Sequence, residues 1–192
     1  MKELVFLLEE LSAKAMLESL LPRFVNKDIG FRCIPFEGKR DLEKGLMRKI
    51  RAYPNNQARF IILRDQDSIP ECRDIKQNLL DLCTKAGKAH LCLVRIACKE
   101  LETFYLADLN AVEEALGIEG IAKKQQKANF RAPDNIISPS RELKKLTDGN
   151  YQKVSGSREI GKYLDLNNDR SLSFKNLIAG IKRMENELLN EP

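Results

Sequence analysis

The segment Phe60-Ile61-Ile62-Leu63-Arg64-Asp65-Gln66-Asp67 decides how this chain folds, because it joins a short apolar run to two acids spaced two positions apart. Four apolar residues in a row, without polar alternation, form a strand covered on both faces, and such strands belong to parallel sheets. Pro70 follows. Then Ile75, Leu79, Leu82, Cys83 and Ala86 recur at helical spacing, with Gly87 placed to end the helix. The repeating unit is strand, then helix.

The same unit recurs on both sides. Upstream, Leu4 to Leu8 leads into a helix with Ser12 as its expected N-cap and Ala15, Leu17, Leu20, Leu21 and Phe24 as its buried stripe. Phe31 to Phe36 leads into Leu42, Leu46, Ile50 and Tyr53. Downstream, Leu91 to Ile96 leads into a helix carrying Phe104 and Tyr105, and Asn110 with Glu113 marks a capping-box-like restart. Residues 1–118 therefore predict an α/β domain, a mostly parallel sheet of about four strands flanked by helices. The basic, proline-containing stretch 119–138, with Lys123, Lys124, Lys127 and Arg131, predicts a mobile loop or linker. Residues 139–192 predict a small helical region packed on the same domain, its last helix marked by Phe174, Leu177, Ile178, Ile181, Met184 and Leu188 and capped by Ser171 or Ser173.

Bulk composition narrows the chemistry. With 192 residues, 43% apolar and 32% charged, the chain can bury a core without disulfides or structural metal. The longest apolar stretches run four to five residues, and Glu9 and Glu10 stand where a signal peptide needs an apolar centre, so a cytoplasmic, non-membrane protein is expected. Five cysteines without a C-x-x-C pair, and the single histidine His90, exclude ordinary zinc spacings. Any histidine-dependent nucleophile would have to use His90, whose apolar neighbours suggest a structural role. Carboxylates and lysines must carry the chemistry. The net charge of +5 suits a polyanionic partner without requiring one.

Ligands of parallel sheets collect at the carboxyl ends of the strands. Three acidic groups follow three of the apolar runs: Glu9 and Glu10, Asp65 and Asp67, and Glu100 and Glu102. In an extended segment Asp65 and Asp67 would point to one side and Gln66 to the other, offering hard oxygen ligands suited to Mg²⁺ or Mn²⁺. The plain alternative is a turn before a helix built from Asp65, Gln66, Asp67, Ser68 and Pro70, with Glu9 or Glu10 serving the following helix dipole and Glu100 and Glu102 solvated. Convergence with Glu9 at one sheet edge favours ligands. A calcium-loop pattern over Asp165, Asn167, Asp169, Ser171 and Ser173 lacks its glycine, at Arg170, and its terminal glutamate, at Asn176, which leaves a helix-capping loop.

A glutamate ending the first strand and D-x-D ending a later one resemble the Toprim pattern of topoisomerases, primases and overcoming-lysogenization-defect (OLD) nucleases. More closely, the chain resembles the bacterial family called domain of unknown function 4276, regarded as Toprim-like and often encoded beside an ABC/SMC-type ATPase. The blocks that carry this are Leu8-Glu9-Glu10-Leu11-Ser12-Ala13, Phe36-Glu37-Gly38-Lys39-Arg40-Asp41-Leu42, Arg64-Asp65-Gln66-Asp67, Arg95 to Phe104, Tyr151-Gln152-Lys153 and Leu172-Ser173-Phe174. Glu10 stands where many Toprim domains have glycine, which makes Glu9 the better ligand.

The resemblance implies a metal-dependent nuclease, the effector of an antiphage or abortive-infection system. It further implies the ABC/SMC-type ATPase and nucleic acid, DNA ahead of RNA, as partners, leaves a homodimer open, and has a non-catalytic subunit as its alternative. The catalytic set would be Glu9, Asp65, Asp67 and Lys39, with Glu100 and Glu102 as further metal ligands. Lys39 is chosen because Gly38 lets a phosphate approach it. Arg40, Lys44, Arg48 and Arg51 line one helix face that could track a nucleic-acid backbone, joined by Arg64 and Arg95; an ordinary solvated face explains the helix cations as well. No Walker-type loop is present.

Overall fold

The computed structural model describes residues 1–191. Strands β1 (Glu3–Leu8), β2 (Gly30–Pro35), β3 (Ala58–Asp65) and β4 (Cys92–Ala97) form one sheet in the order β2-β1-β3-β4, and every pairing is parallel. The central strands are β1 and β3, buried almost from end to end. Their side chains alternate between two cores: Leu4, Phe6, Leu8, Ile61 and Leu63 face one way, and Val5, Leu7, Phe60 and Ile62 the other. A run apolar at every position is what such a doubly covered strand requires.

Helix α1 (Leu11–Leu20) packs on the first face, while α2 (Lys39–Arg51) and α3 (Cys72–Lys85) close the second through Leu42, Leu46, Ile50, Ile75, Leu79 and Cys83. The first face is completed by α4 (Glu102–Leu106), α5 (Leu109–Leu116), α6 (Ala128–Arg131), α7 (Pro139–Leu146), α8 (Lys153–Gly161) and α9 (Leu172–Asn190). The C-terminal helices share the sheet's core, with Phe174 against Phe104 at 5.2 Å between ring centroids. At the α1–α8 crossing, a Cβ on Gly161 would stand 2.5 Å from the Met16 carbonyl oxygen, so only glycine permits that approach.

Several local expectations change. Glu10 occupies the cap position of α1, and Ser12 lies inside the first turn, donating its hydroxyl to Glu10 Oε1 at 2.6 Å. Ser171, not Ser173, caps α9 by accepting from the Phe174 amide. The stretch expected as a mobile loop, 119–138, contains two 3₁₀ turns and α6, with Ile121, Gln125 and Phe130 buried. Gln125 makes this irregular path tenable: it accepts from the Leu109 amide and donates to the Leu106 and Phe130 carbonyls. His90 is exposed in the turn before β4 instead of buried, because the apolar run around it starts its strand only at Cys92. All five cysteines are free, and Pro192 lies outside the described residues. Among those residues no helix is long and apolar enough to cross a membrane.

Candidate metal centre

The parallel register sets the carboxyl ends of β1, β2 and β3 side by side: Leu8 is level with Pro35 and with Leu63. The next residue, Glu9, is pinned through its backbone, its amide donating to the Leu63 carbonyl at 3.2 Å and its carbonyl accepting from the Gly38 amide at 2.9 Å. Gly38 makes that second bond with φ of 96°, a conformation reserved for glycine, and α2 begins immediately after it. The Glu9 side chain turns across the edge, and Oε2 accepts from the Asp65 amide at 3.0 Å.

Beyond Asp65 the chain leaves the strand. Gln66 is buried and donates to the Ile69 and Pro70 carbonyls, while Asp67 is left-handed at φ 56° with its amide on the Lys99 carbonyl at 2.7 Å. The expectation that strand alternation presents both aspartates together is therefore corrected, since the D-x-D segment is a turn anchored by a structural glutamine. Asp67 instead meets Lys39, whose ammonium stands 2.9 Å from Oδ2.

Electrostatics single out Asp65. Burial, then the charges of Glu9, Glu10 and Glu102, raises its carboxyl well above the ordinary aspartate range. Burial first, with Asp67 and Glu10 contributing, also raises Glu9, against the pull of the Asp65 amide and Arg64. Glu102, only 1% exposed, is raised chiefly by burial. One of its oxygens accepts from the Tyr151 hydroxyl at 3.0 Å, and the other, Oε2, is buried without a hydrogen-bond partner among the described residues. Lysines supply part of the missing positive charge: Lys153 lies 2.8 Å from Glu10 Oε2, as Lys39 does beside Asp67.

This donor chemistry suits a hard divalent ion: carboxylate oxygens that repel one another, one of them orphaned. The arrangement itself is open, because among the described residues no three His, Cys, Asp or Glu side chains close around a common point. Glu9 and Asp67 each have one oxygen engaged, Oε2 with the Asp65 amide and Oδ2 with Lys39, which leaves Oε1 and Oδ1 as the oxygens to offer an ion. Glu100 is engaged by another element. Its Oε2 accepts from the Ser140 amide at 2.6 Å, at the start of α7, so the acidic pair after the fourth strand divides into one carboxylate capping a helix and one buried carboxylate, which the charge of Glu100 still reaches.

The nucleic-acid set divides as well. Arg40, Lys44 and Arg48 are exposed on α2, whereas Arg51 donates to the Lys85 carbonyl at the end of α3. Arg64 is 4% exposed and lies between Glu43, at 2.5 Å, and Glu9, at 4.0 Å, so it braces the site from within instead of facing a ligand in solvent. Arg95 lies beneath α9, its Nε on the Asn176 carbonyl at 2.9 Å, because strand alternation turns it to the same face as Leu93. The lysine that sequence reasoning left without a role is Lys153. Only its place in the Tyr151-Gln152-Lys153 block marked it, since no spacing rule links residue 153 to residue 10.

Comparison with solved structures finds the C-terminal region of the Burkholderia pseudomallei OLD protein, with a TM-score of 0.53 at 13% sequence identity over 96% of this chain and 98% of that one. At that identity the likeness is one of fold, and the fold is Toprim-like α/β with a helical C-terminal part. No curated protein matches the sequence. The model of the family described as domain of unknown function (DUF4276) matches residues 8–182, and the chain belongs to that family.

Proposed function

We propose that this protein is a metal-dependent phosphodiesterase of Toprim type that cleaves nucleic acid with Mg²⁺ or Mn²⁺, as the effector of an antiphage system working with an ABC/SMC-type ATPase. The observation that carries the reading is the half-buried Asp65 carboxyl at the strand ends, beside the Glu9 carboxylate that accepts from its amide, and raised well above the ordinary aspartate range by burial and then by Glu9, Glu10 and Glu102. Such a group gains most from a cation. When bound, a divalent ion activates water and stabilises charge on phosphate oxygens. Glu9 and Asp65 would hold it, with Glu102 behind them and Asp67 freed from Lys39. Lys39, released in turn, would offset charge on the phosphate, and Arg64 keeps Glu9 oriented by bracing it against Glu43.

A second reading, a non-catalytic subunit binding the ATPase or nucleic acid, is favoured by the two lysines that already neutralise Asp67 and Glu10 and by the open arrangement of the acids. Cleavage of labelled single- and double-stranded DNA and RNA with Mn²⁺ separates the two. The first reading expects activity abolished by chelator and lost in both Glu9→Gln and Asp65→Asn. Activity that survives either substitution would overturn it, and Mn²⁺ binding without cleavage would support the second.

A further inference from the structure

A groove of about 650 Å³ runs between the edge strand β2 and helix α2, outside the acidic cluster. Its cations are Arg32, Arg48 and Lys49, all exposed. Its aromatic walls are Phe36 and Tyr53, both partly exposed. The sequence keeps these apart, Phe36 just past the end of β2 and Tyr53 just past the end of α2, so no interleaving of basic and aromatic residues is visible along the chain. Folding brings them together. A Cβ on Gly45 would stand 2.8 Å from Phe36 Cε1, so the missing side chain lets that ring lie against α2 as part of the groove. Tyr53 is held from behind, its ring edge-on to Phe60 at 5.4 Å.

The charges of α2 are not equivalent. Lys39 and Glu43 are engaged with Asp67 and Arg64, and Arg51 with the Lys85 carbonyl. Arg48 and Lys49 make no ion pair among the described residues, while Arg32 meets Glu3 at 3.3 Å and remains largely in solvent. Asp41 lies at the end of the groove nearer the acidic edge, with its carboxylate occupied by the Glu37 amide. From Asp41 to Ala52 the groove follows roughly 16 Å of helix, about five stacked nucleotides at roughly 3.4 Å each. At its upper end Phe36 is two residues from Gly38, which bonds Glu9, and three from Lys39, which bonds Asp67.

We infer that this groove binds a single-stranded segment of nucleic acid and feeds it toward the carboxylate edge, with Arg48, Lys49 and Arg32 on the phosphates and Phe36 and Tyr53 against the bases. The substrate class rests on the phosphodiesterase reading, but the groove stands on its own composition. A duplex keeps its base faces stacked and would touch only the outer cations, whereas a recessed cleft with two aromatic rings matches unpaired bases, which stack on any exposed ring. Phosphate contacts on one side and aromatic contacts on the other are the two components of single-strand binding.

The test is fluorescence anisotropy with labelled single-stranded and duplex oligonucleotides of equal length, in chelator, so that cleavage plays no part. The wild-type chain is expected to prefer the single strand by tenfold or more. Arg48→Glu with Lys49→Glu, both exposed and outside the core, should weaken single-strand binding about tenfold and flatten its salt dependence, while Lys144→Glu with Lys145→Glu on α7 should change it less than twofold. Phe36→Leu, which keeps an apolar contact against α2, should cost about fivefold on the single strand and leave duplex binding unchanged. Equal affinity for both forms, equal loss in both charge reversals, or a chain that dimerises through the β2 edge and binds neither form would overturn the inference. Groove-dependent binding without Mn²⁺-dependent cleavage would sustain it while removing the phosphodiesterase reading, and cleavage with no groove dependence would do the reverse.

Discussion

Asp65 is the residue on which the proposed chemistry rests, and its environment makes a prediction that does not depend on turnover. Burial first, then three neighbouring carboxylates, raises its carboxyl well above the usual range, so ionisation at pH 8 costs folded stability. Asp65→Asn removes that charge while keeping the shape. In chelator at pH 8 its melting temperature should rise by about 2–4 °C, the shift that roughly 1 kcal/mol gives a chain of this size; a fall would mean that the carboxylate is already compensated. Lys39 gives the opposite kind of test. Its pair with Asp67 is exposed and contributes less than about 1 kcal/mol, so Lys39→Met should leave thermal stability almost unchanged. It should also free Asp67, leaving Mn²⁺ affinity by calorimetry equal or tighter while cleavage falls about a hundredfold. Weaker Mn²⁺ binding would show that Lys39 orders the site instead of occupying it. The meeting of Asp65 and Glu9 at one sheet edge was legible because each ends an apolar run in a parallel register. The pairing of Asp67 with Lys39 was not, since it depends on the left-handed backbone and on Gln66, whose side chain holds the turn through contacts that spacing does not reveal.

At the scale of elements, the alternation of runs and stripes located β1 to β4 and the helices between them because each strand is buried on both faces and each helix on one. The stretch 119–138 escaped the same logic: its turns are too short for a stripe, and a single buried glutamine, not periodicity, organises them. Glu100 and Glu102 illustrate why two adjacent acids need not share a role. Entering α4, they diverge, one to the start of α7 and the other inward to Tyr151. Glu100→Ala should therefore act as the loss of a helix cap, costing about 1 kcal/mol by denaturant unfolding, with Mn²⁺ affinity unchanged. A large loss of metal affinity with normal stability would return Glu100 to the ligand set. Packing is equally specific at the α1–α8 crossing, where Gly161→Ala drives a methyl against the Met16 backbone and should cost about 1–3 kcal/mol.

Across the whole molecule, the carboxylate edge couples stability to pH, and under the proposed function it would couple stability to metal as well. Glu9, Asp65 and Glu102 are all raised above their ordinary carboxylate values in the folded state, so over the intervening pH range the folded chain holds protons that the unfolded chain has released. Their favourable contribution is fully present below those unfolded values and is lost as pH rises through the raised ones. Lys153 does not offset this in the same window. Burial, the first influence on it, pulls it down, but the hydrogen bond to Glu10 and the charges of Glu10, Glu102 and Asp65 carry it above 10.5, and its contribution is lost only at still higher pH. The metal-free protein should thus lose melting temperature between about pH 5 and pH 8. A divalent ion held there would reverse the sign, because it would bind the deprotonated acids and expel their protons. Millimolar Mn²⁺ should raise the melting temperature markedly at pH 8 and little at pH 5, with proton release visible as a binding enthalpy that changes with the ionisation enthalpy of the buffer. In Asp65→Asn both the pH slope and the Mn²⁺ effect should shrink together. If Mn²⁺ stabilises the wild type equally at both pH values, or stabilises Asp65→Asn as strongly as wild type, the ion binds elsewhere and the carboxylate edge is a structural feature of the fold.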